Sequence, residues 1–178
     1  MKALVVYTSQ TGFTKKYAEW IADEIGADIY DLNDVKKKDD DFFAAYDAIV
    51  YAGWCMAERI VKIKWFLDKA VNWKNKRLAV VAVGGSPNDN PQVEKFVQTV
   101  LSDEQSRYIK AFYCQGGFNY EKMNAPSKMA MKMFVGALKK KPDEETRQMA
   151  EMISKSYDIS DKKFIEPIVA YLTENIDS

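Results

Sequence analysis

Five short apolar runs punctuate the chain, and the segments between most of them carry their apolar residues at helical spacing. The first run, Ala3 to Tyr7 (ALVVY), shows no alternation of apolar and polar positions. Such a run suits a strand buried on both faces of a parallel sheet. Asp28 to Leu32, Ala48 to Ala52 (AIVYA, ending at Gly53), Arg77 to Val83 (RLAVVAV, ended by Gly84 and Gly85) and Ile109 to Cys114 (ended by Gly116 and Gly117) supply four more. Thr14 to Ile25 predicts a helix with Tyr17, Ala18, Ile21 and Ile25 on one face and Gly26 at its end. Ile63 to Trp73 and Pro91 to Leu101 predict two more, the second with Pro91 in its first turn. Between the second and third strands, "DVKKKDDDFFAAY" reads as a solvated connection.

Strands alternating with helices imply right-handed crossovers and a doubly wound α/β fold. Five parallel strands in the order 2-1-3-4-5, helices on both faces, fit a single domain over residues 1–178. Ligands of such sheets bind at the carboxyl ends of the strands. Three loops converge there: Thr8 to Thr14, Gly53 to Arg59, and Gly84 to Asn90. Beyond the fifth strand the pattern changes. "SKMAMKMFVGALKKK" reads as a helix, and so does "DEETRQMAEMISKSY", with acids in its first turn. "SDKKFIEPIVAYLTENI" is interrupted by Pro167, which predicts a kink or a helix start. One of these added helices should cover the sheet after the fifth strand.

Composition removes several kinds of chemistry. The 178 residues are 47% hydrophobic and 29% charged with zero net charge, which gives no electrostatic case for nucleic acid. There is no histidine. Ser-His and Cys-His nucleophile pairs are therefore excluded, and no metal site or catalytic side chain stands out. The two cysteines, Cys55 and Cys114, are far apart, as suits a reducing interior, and a cytoplasmic location is expected. "MKALVVYTS" has too short an apolar core for a signal peptide, and no apolar run nears the ~20 residues of a membrane span.

The loop after the first strand, "TSQTGFT" (Thr8, Ser9, Gln10, Thr11, Gly12, Phe13, Thr14), combines hydroxyls, one glycine and a helix start. Loop amides and a helix N-terminus attract an anion. A nucleotide-hydrolysing loop would place Lys after the glycine, where Phe13 stands. A dinucleotide loop would need two more glycines, and their absence outweighs Asp31, which sits where a ribose-binding acid would. The loop suits a phosphate that is held rather than transferred. A helix cap with a turn is the alternative use of the same residues.

The stretch "VVYTSQTGFTKKYAEWIA" resembles the phosphate loop of the flavodoxin superfamily, roughly [ST]-x-T-G-x-[ST], matched at Ser9, Thr11, Gly12 and Thr14. The resemblance implies the terminal phosphate of FMN as the group held. It also implies that the loops after the third and fourth strands hold the ring, through Gly53, Trp54, Cys55 and Met56 on one side and Gly85, Ser86, Pro87 and Asn88 on the other. "GGFNYEKMNAPSKMAMKMF" resembles a narrower branch, which holds the menaquinone-dependent protoporphyrinogen dehydrogenases and uncharacterised flavodoxin-domain relatives. On the residues alone, Trp54 is either a ring contact or a half-buried loop tryptophan, Cys55 lacks a base to make it a nucleophile, and Cys114 belongs to the core.

Neutrality conceals a local imbalance. Residues 107–142 carry eight Lys and Arg (Arg107, Lys110, Lys122, Lys128, Lys132, Lys139, Lys140, Lys141) against one acid, Glu121. Within this stretch the basic, Met-rich part, 116–142, is an insertion. A basic face beside methionines fits a lid over a lipophilic substrate, a peripheral contact with the inner face of a membrane, or simple packing. The expected activity is an FMN oxidoreductase passing electrons to a quinone-like or porphyrin-like partner. An electron carrier serving a redox partner protein and a flavin-free binding module are the alternatives. A phosphorylation receiver of this strand order is excluded, because Tyr7-Thr8 and Ala52-Gly53 stand where it needs acids.

Overall fold

Along residues 1–56 and 59–174, which the computed structural model describes, strands and helices alternate. The first half comprises β1 (Ala3–Thr8), α1 (Phe13–Ile25), β2 (Asp28–Asp31), α2 (Leu32–Val35), α3 (Asp40–Ala44), β3 (Ala48–Met56), β4 (Arg59–Ile60), α4 (Ile63–Ala70) and β5 (Arg77–Gly84). The second comprises α5 (Pro91–Thr99), β6 (Ile109–Gln115), β7 (Gly117–Phe118), α6 (Ala125–Lys139), α7 (Glu144–Met152), β8 (Tyr157–Asp158) and α8 (Glu166–Thr173). The five long strands form a parallel sheet in the order β2-β1-β3-β5-β6. This is the doubly wound order the apolar runs predict, β5 and β6 being the fourth and fifth of them.

The unalternating runs form the two faces of the sheet. Leu4, Val6, Ile49, Tyr51, Leu78 and Val80 point to one side and meet Phe43, Phe66 and Trp73. Val5, Val50 and Val81, one residue out of phase, point to the other and meet Tyr17, Ala18 and Ile21 of α1 with Ile168 and Leu172 of α8. Each large aliphatic side chain buried in this way contributes about 1.5–3 kcal/mol. The added helix that covers the sheet is therefore α8. Pro167 lies in its first turn, after a 3-10 turn at Lys162–Ile165, and so starts the helix rather than kinking it. Residues 175 and 176, the end of the expected segment, lie outside the described residues.

Three sequence expectations need correction. The third strand does not end at Gly53. It runs to Met56 and pairs antiparallel with β4, Cys55 facing Ile60 and Met56 facing Arg59. The strand can pass through this position as glycine, where a Cβ would overlap Cγ2 of Ile60. Ala57 and Glu58, between the paired strands, lie outside the described residues. The connection "DVKKKDDDFFAAY" is only partly solvated. Asp31 and Asp39 cap α2 and α3 by accepting from the amides of Asn33 (2.8 Å) and Phe42 (3.1 Å), and these turns bury Val35 and Phe43 completely. Finally, α7 stops at Met152, and the chain then forms β8, which pairs antiparallel with β7.

α6 begins at Ala125, just after its cap Asn124, whose side chain accepts from the amide of Ser127 (2.9 Å). It packs on α7 around a small core of its own, Val135, Ala150 and Ile153. Phe118 and Tyr157, on the β7-β8 pair, join that core, so the pair ties the two helices to the carboxyl ends of the main strands.

Candidate functional site

The carboxyl end of β1 delivers a closed loop. Ser9 Oγ accepts from the Gly12 amide (3.2 Å), and the Gly12 carbonyl accepts from the Lys16 amide (2.9 Å) to begin α1. Gly12 adopts φ 103, a left-handed conformation that a side chain would strain. The leading amides of a helix have no intrahelical acceptor and carry the positive end of its dipole. α1 has no acid in its first turn to answer that charge. It has Lys15 and Lys16, drawn off to Glu19 (3.6 Å) and Asp158 (3.0 Å). Thr14 is 1% exposed, and its Oγ1 has no hydrogen-bond partner. A buried orphan hydroxyl costs about 1–3 kcal/mol. At a helix N-terminus the group that relieves it is an oxyanion, and a phosphate fits this donor set.

From this loop a mostly apolar cleft of about 380 Å³ extends across the strand ends. Gln10, Thr11, Phe13 and Thr14 form its phosphate end. Trp54, Cys55 and Met56 of β3, with Val83, Gly84 and Gly85 of β5, form its walls. Phe118 and Met123 border it, and α6 lies across it through Ser127, Ala130, Met131 and Phe134, the spacing of one helix face.

The loop after β5 is fixed from behind. The Tyr113 hydroxyl accepts from the Ser86 amide (3.1 Å) and donates to the Ser86 carbonyl (2.9 Å). The Asn88 side chain accepts from the Gln115 amide (2.7 Å) and donates to the Tyr113 carbonyl (3.0 Å), running alongside β6 like a further strand. The Tyr157 hydroxyl donates to the Gly85 carbonyl (2.7 Å).

Of the residues expected at the site, the structure gathers Gln10, Thr11, Phe13, Thr14, Trp54, Cys55, Met56 and Gly85 around one cleft. Gly12 borders an adjoining basin of about 420 Å³ with Lys16 and Lys122. Thr8 is buried at the strand end, Ser9 closes the loop, and Gly53 is a packing residue. Ser86 faces a different cleft, with Phe96 and Tyr113, while Pro87 and Asn88 line neither cleft. Burial pushes the thiols of Cys55 and Cys114 up to about 12, which disfavours the thiolate that a nucleophilic Cys55 would need. Asp31 is accounted for as the α2 cap. Sequence reasoning missed Phe118, Met123, Tyr157 and Lys122 as site residues. The Gly-aromatic-x-Tyr stretch flagged the region of Phe118, but nothing near Tyr157 announced that it would reach Gly85. Among the described residues, no cluster of three or more His, Cys, Asp or Glu is placed to hold a metal ion.

A family model described as "Flavodoxin domain" matches residues 4–146. An uncharacterised protein of Methanocaldococcus jannaschii is 30% identical over 158 residues, covering 88% of this chain and 97% of its own. Among solved structures, a WrbA-like flavodoxin from Agrobacterium tumefaciens aligns with TM-score 0.47 at 17% identity, covering 86% of this chain and 97% of its own. An NAD(P)H:quinone oxidoreductase from Methanothermobacter marburgensis aligns with TM-score 0.45 at 9% identity, covering 85% and 91%. Likenesses at these scores and identities carry no weight for activity.

Proposed function

The chain belongs to the flavodoxin-domain family, and on that premise we propose that it is an FMN-binding oxidoreductase serving a lipophilic, quinone-like or porphyrin-like partner. The observation that carries this reading is the single cleft joining the orphan hydroxyl of Thr14 to an apolar chamber under α6. Thr11, Thr14 and the leading amides of α1 would hold the phosphate, and Trp54, Met56 and Gly85 would flank the ring. Bound FMN supplies the electron exchange. The chain's own work is to seat the cofactor, keep water from the apolar walls and choose what comes near. No protonated or reactive side chain is needed for that, in keeping with the neutral thiols.

The α6 face supports the partner class. Ala130, Met131 and Phe134 offer adaptable apolar surface, and methionine packs against varied shapes. On the outer side Met129 and Met133 are 66% and 71% exposed beside Lys128, Lys132 and Lys139, a combination suited to an anionic membrane surface. No helix among the described residues is long and apolar enough to cross a membrane.

The test begins with equilibrium binding, in which FMN should be preferred to FAD and to NAD. The reduced holoprotein should then be reoxidised by a naphthoquinone, and the protein should bind anionic vesicles at low salt and release them as salt is added. If FMN binds but quinones and vesicles are both ignored, the electron-carrier reading replaces this one. If no flavin binds, the protein is a flavin-free module on the same fold.

A further inference from the structure

We infer that Lys122 is a phosphate clamp, a cation brought from outside the loop to close over the phosphoryl group that the loop cradles. The inference rests on the FMN reading above and adds to it a residue that the loop pattern does not contain.

The Nζ of Lys122 stands 4.0 Å from the point a Cβ on Gly12 would occupy, and both residues border the same basin. Gly12 is the residue whose missing side chain opens the loop backbone to a ligand, so the ammonium faces the exposed side of the anion site. Thr14, buried and unpartnered, serves the inner side. An anion between them would meet a hydroxyl and amides from within and a full charge from without.

The placement is built rather than incidental. The Lys122 amide donates to both the carbonyl (3.2 Å) and the side-chain oxygen (3.1 Å) of Asn119, which fixes a turn. Tyr120, inside that turn, is held by its amide to Ser156 Oγ (3.0 Å) and by its hydroxyl to the Ile153 carbonyl. The turn is therefore anchored on the chain between α7 and β8.

The charges nearby also leave Lys122 free. Lys16, the other cation on the basin, is occupied by Asp158 (3.0 Å) and Ser160 (2.7 Å). Glu121, next in sequence, accepts a hydrogen bond from Ser156 (3.0 Å). Among the described residues, Lys122 has no carboxylate within salt-bridge distance. An exposed ammonium without an acid beside a helix N-terminus leaves an excess of positive charge, which a phosphate dianion would answer.

The experiment compares FMN with riboflavin, which lacks the phosphate, on the full-length protein. Lys122→Gln should weaken FMN binding about tenfold, leave riboflavin binding unchanged and make FMN affinity less dependent on salt. Lys122→Arg, which keeps the charge, should restore most of the loss. An equal loss for both flavins would show that Lys122 acts only by supporting the fold, and unchanged FMN affinity with unchanged salt dependence would remove it from the site. Either result overturns the clamp while FMN binding by the wild type still stands. Failure of the wild type to bind FMN would overturn both readings.

Discussion

Thr14 makes one side chain answer two questions at once. Its hydroxyl is buried without a partner, so the empty fold gains nothing from it. Thr14→Val should leave thermal stability of the flavin-free protein unchanged or slightly higher, because an unsatisfied polar atom is removed. The same substitution should weaken FMN binding by about 1.5–3 kcal/mol, the worth of a hydrogen bond to a charged group. Titration calorimetry and thermal melts on one sample measure both. A variant that loses stability but keeps FMN affinity would place the phosphate elsewhere. Trp54 gives an optical check. Of the four tryptophans it alone lines the cleft, so FMN should quench its emission, and Trp54→Phe should remove that part of the signal. Quenching that persists in the variant would point to Trp20, Trp65 or Trp73. Much of this residue-level picture was legible in the chain, because "TSQTGFT" names its donors by type and spacing. Asn88 was not. An asparagine in a glycine-proline loop looks the same whether it meets a ligand or, as here, hydrogen-bonds along β6.

The elements differ in how firmly the chain holds them. β1, β3 and β5 are buried on both faces by two cores, whereas α6 and α7 share one small cluster of Val135, Ala150 and Ile153. Local opening free energies follow buried contacts, so the α6-α7 pair should open without the sheet. Val135→Ala and Ile153→Ala should each raise amide exchange in α6 and α7 severalfold while β1, β3 and β5 keep their protection. Uniform loss of protection would mean that the pair and the sheet unfold as one. The same contrast explains which elements the sequence revealed. Long apolar runs carry their own signal, and all five strands of the parallel sheet were visible. β7 and β8 are two residues each and exist because Phe118 and Tyr157 meet across the site, a fact set by tertiary packing. α2 was hidden just before "KKKDDD" and α3 at its end, because Asp31 and Asp39 act as their caps, and a cap looks like any solvated acid until its helix is known.

At the scale of the whole molecule, stability should fall at both pH extremes. Hydrogen bonds hold the carboxyls of Asp143, Asp161 and Glu121 below their ordinary values, so what they contribute is lost in acid, and the buried thiols and phenols act on the alkaline side. There is no histidine to titrate near neutrality. Burial raises the thiols of Cys114 and Cys55 to about 12, and it raises the hydroxyls of Tyr17 and Tyr51 as well. Unfolded, these groups ionise near 8.5 and 10. Each folded value lies above its unfolded one, so the stability they contribute is complete below about pH 8.5 and is lost as pH rises toward 12. Urea midpoints should be level from pH 6 to 8 and fall progressively above 9. A midpoint unchanged at pH 11 would show that the buried groups are not desolvated as the structure has them. The placement of α8 has a consequence of another kind, for synthesis. Ile168 and Leu172 complete the apolar face made by Val5, Ala18, Ile21 and Val50. Arg77 Nη1 donates to the Leu172 carbonyl (2.9 Å). The Tyr171 hydroxyl donates to the Leu78 carbonyl (3.2 Å), so β5 is tied to a helix made more than 80 residues later. Until α8 follows, that part of the sheet face waits uncovered, and contacts so distant in sequence form slowly. The nascent chain is therefore a natural client for a chaperone that shields apolar strands until residue 173 has emerged.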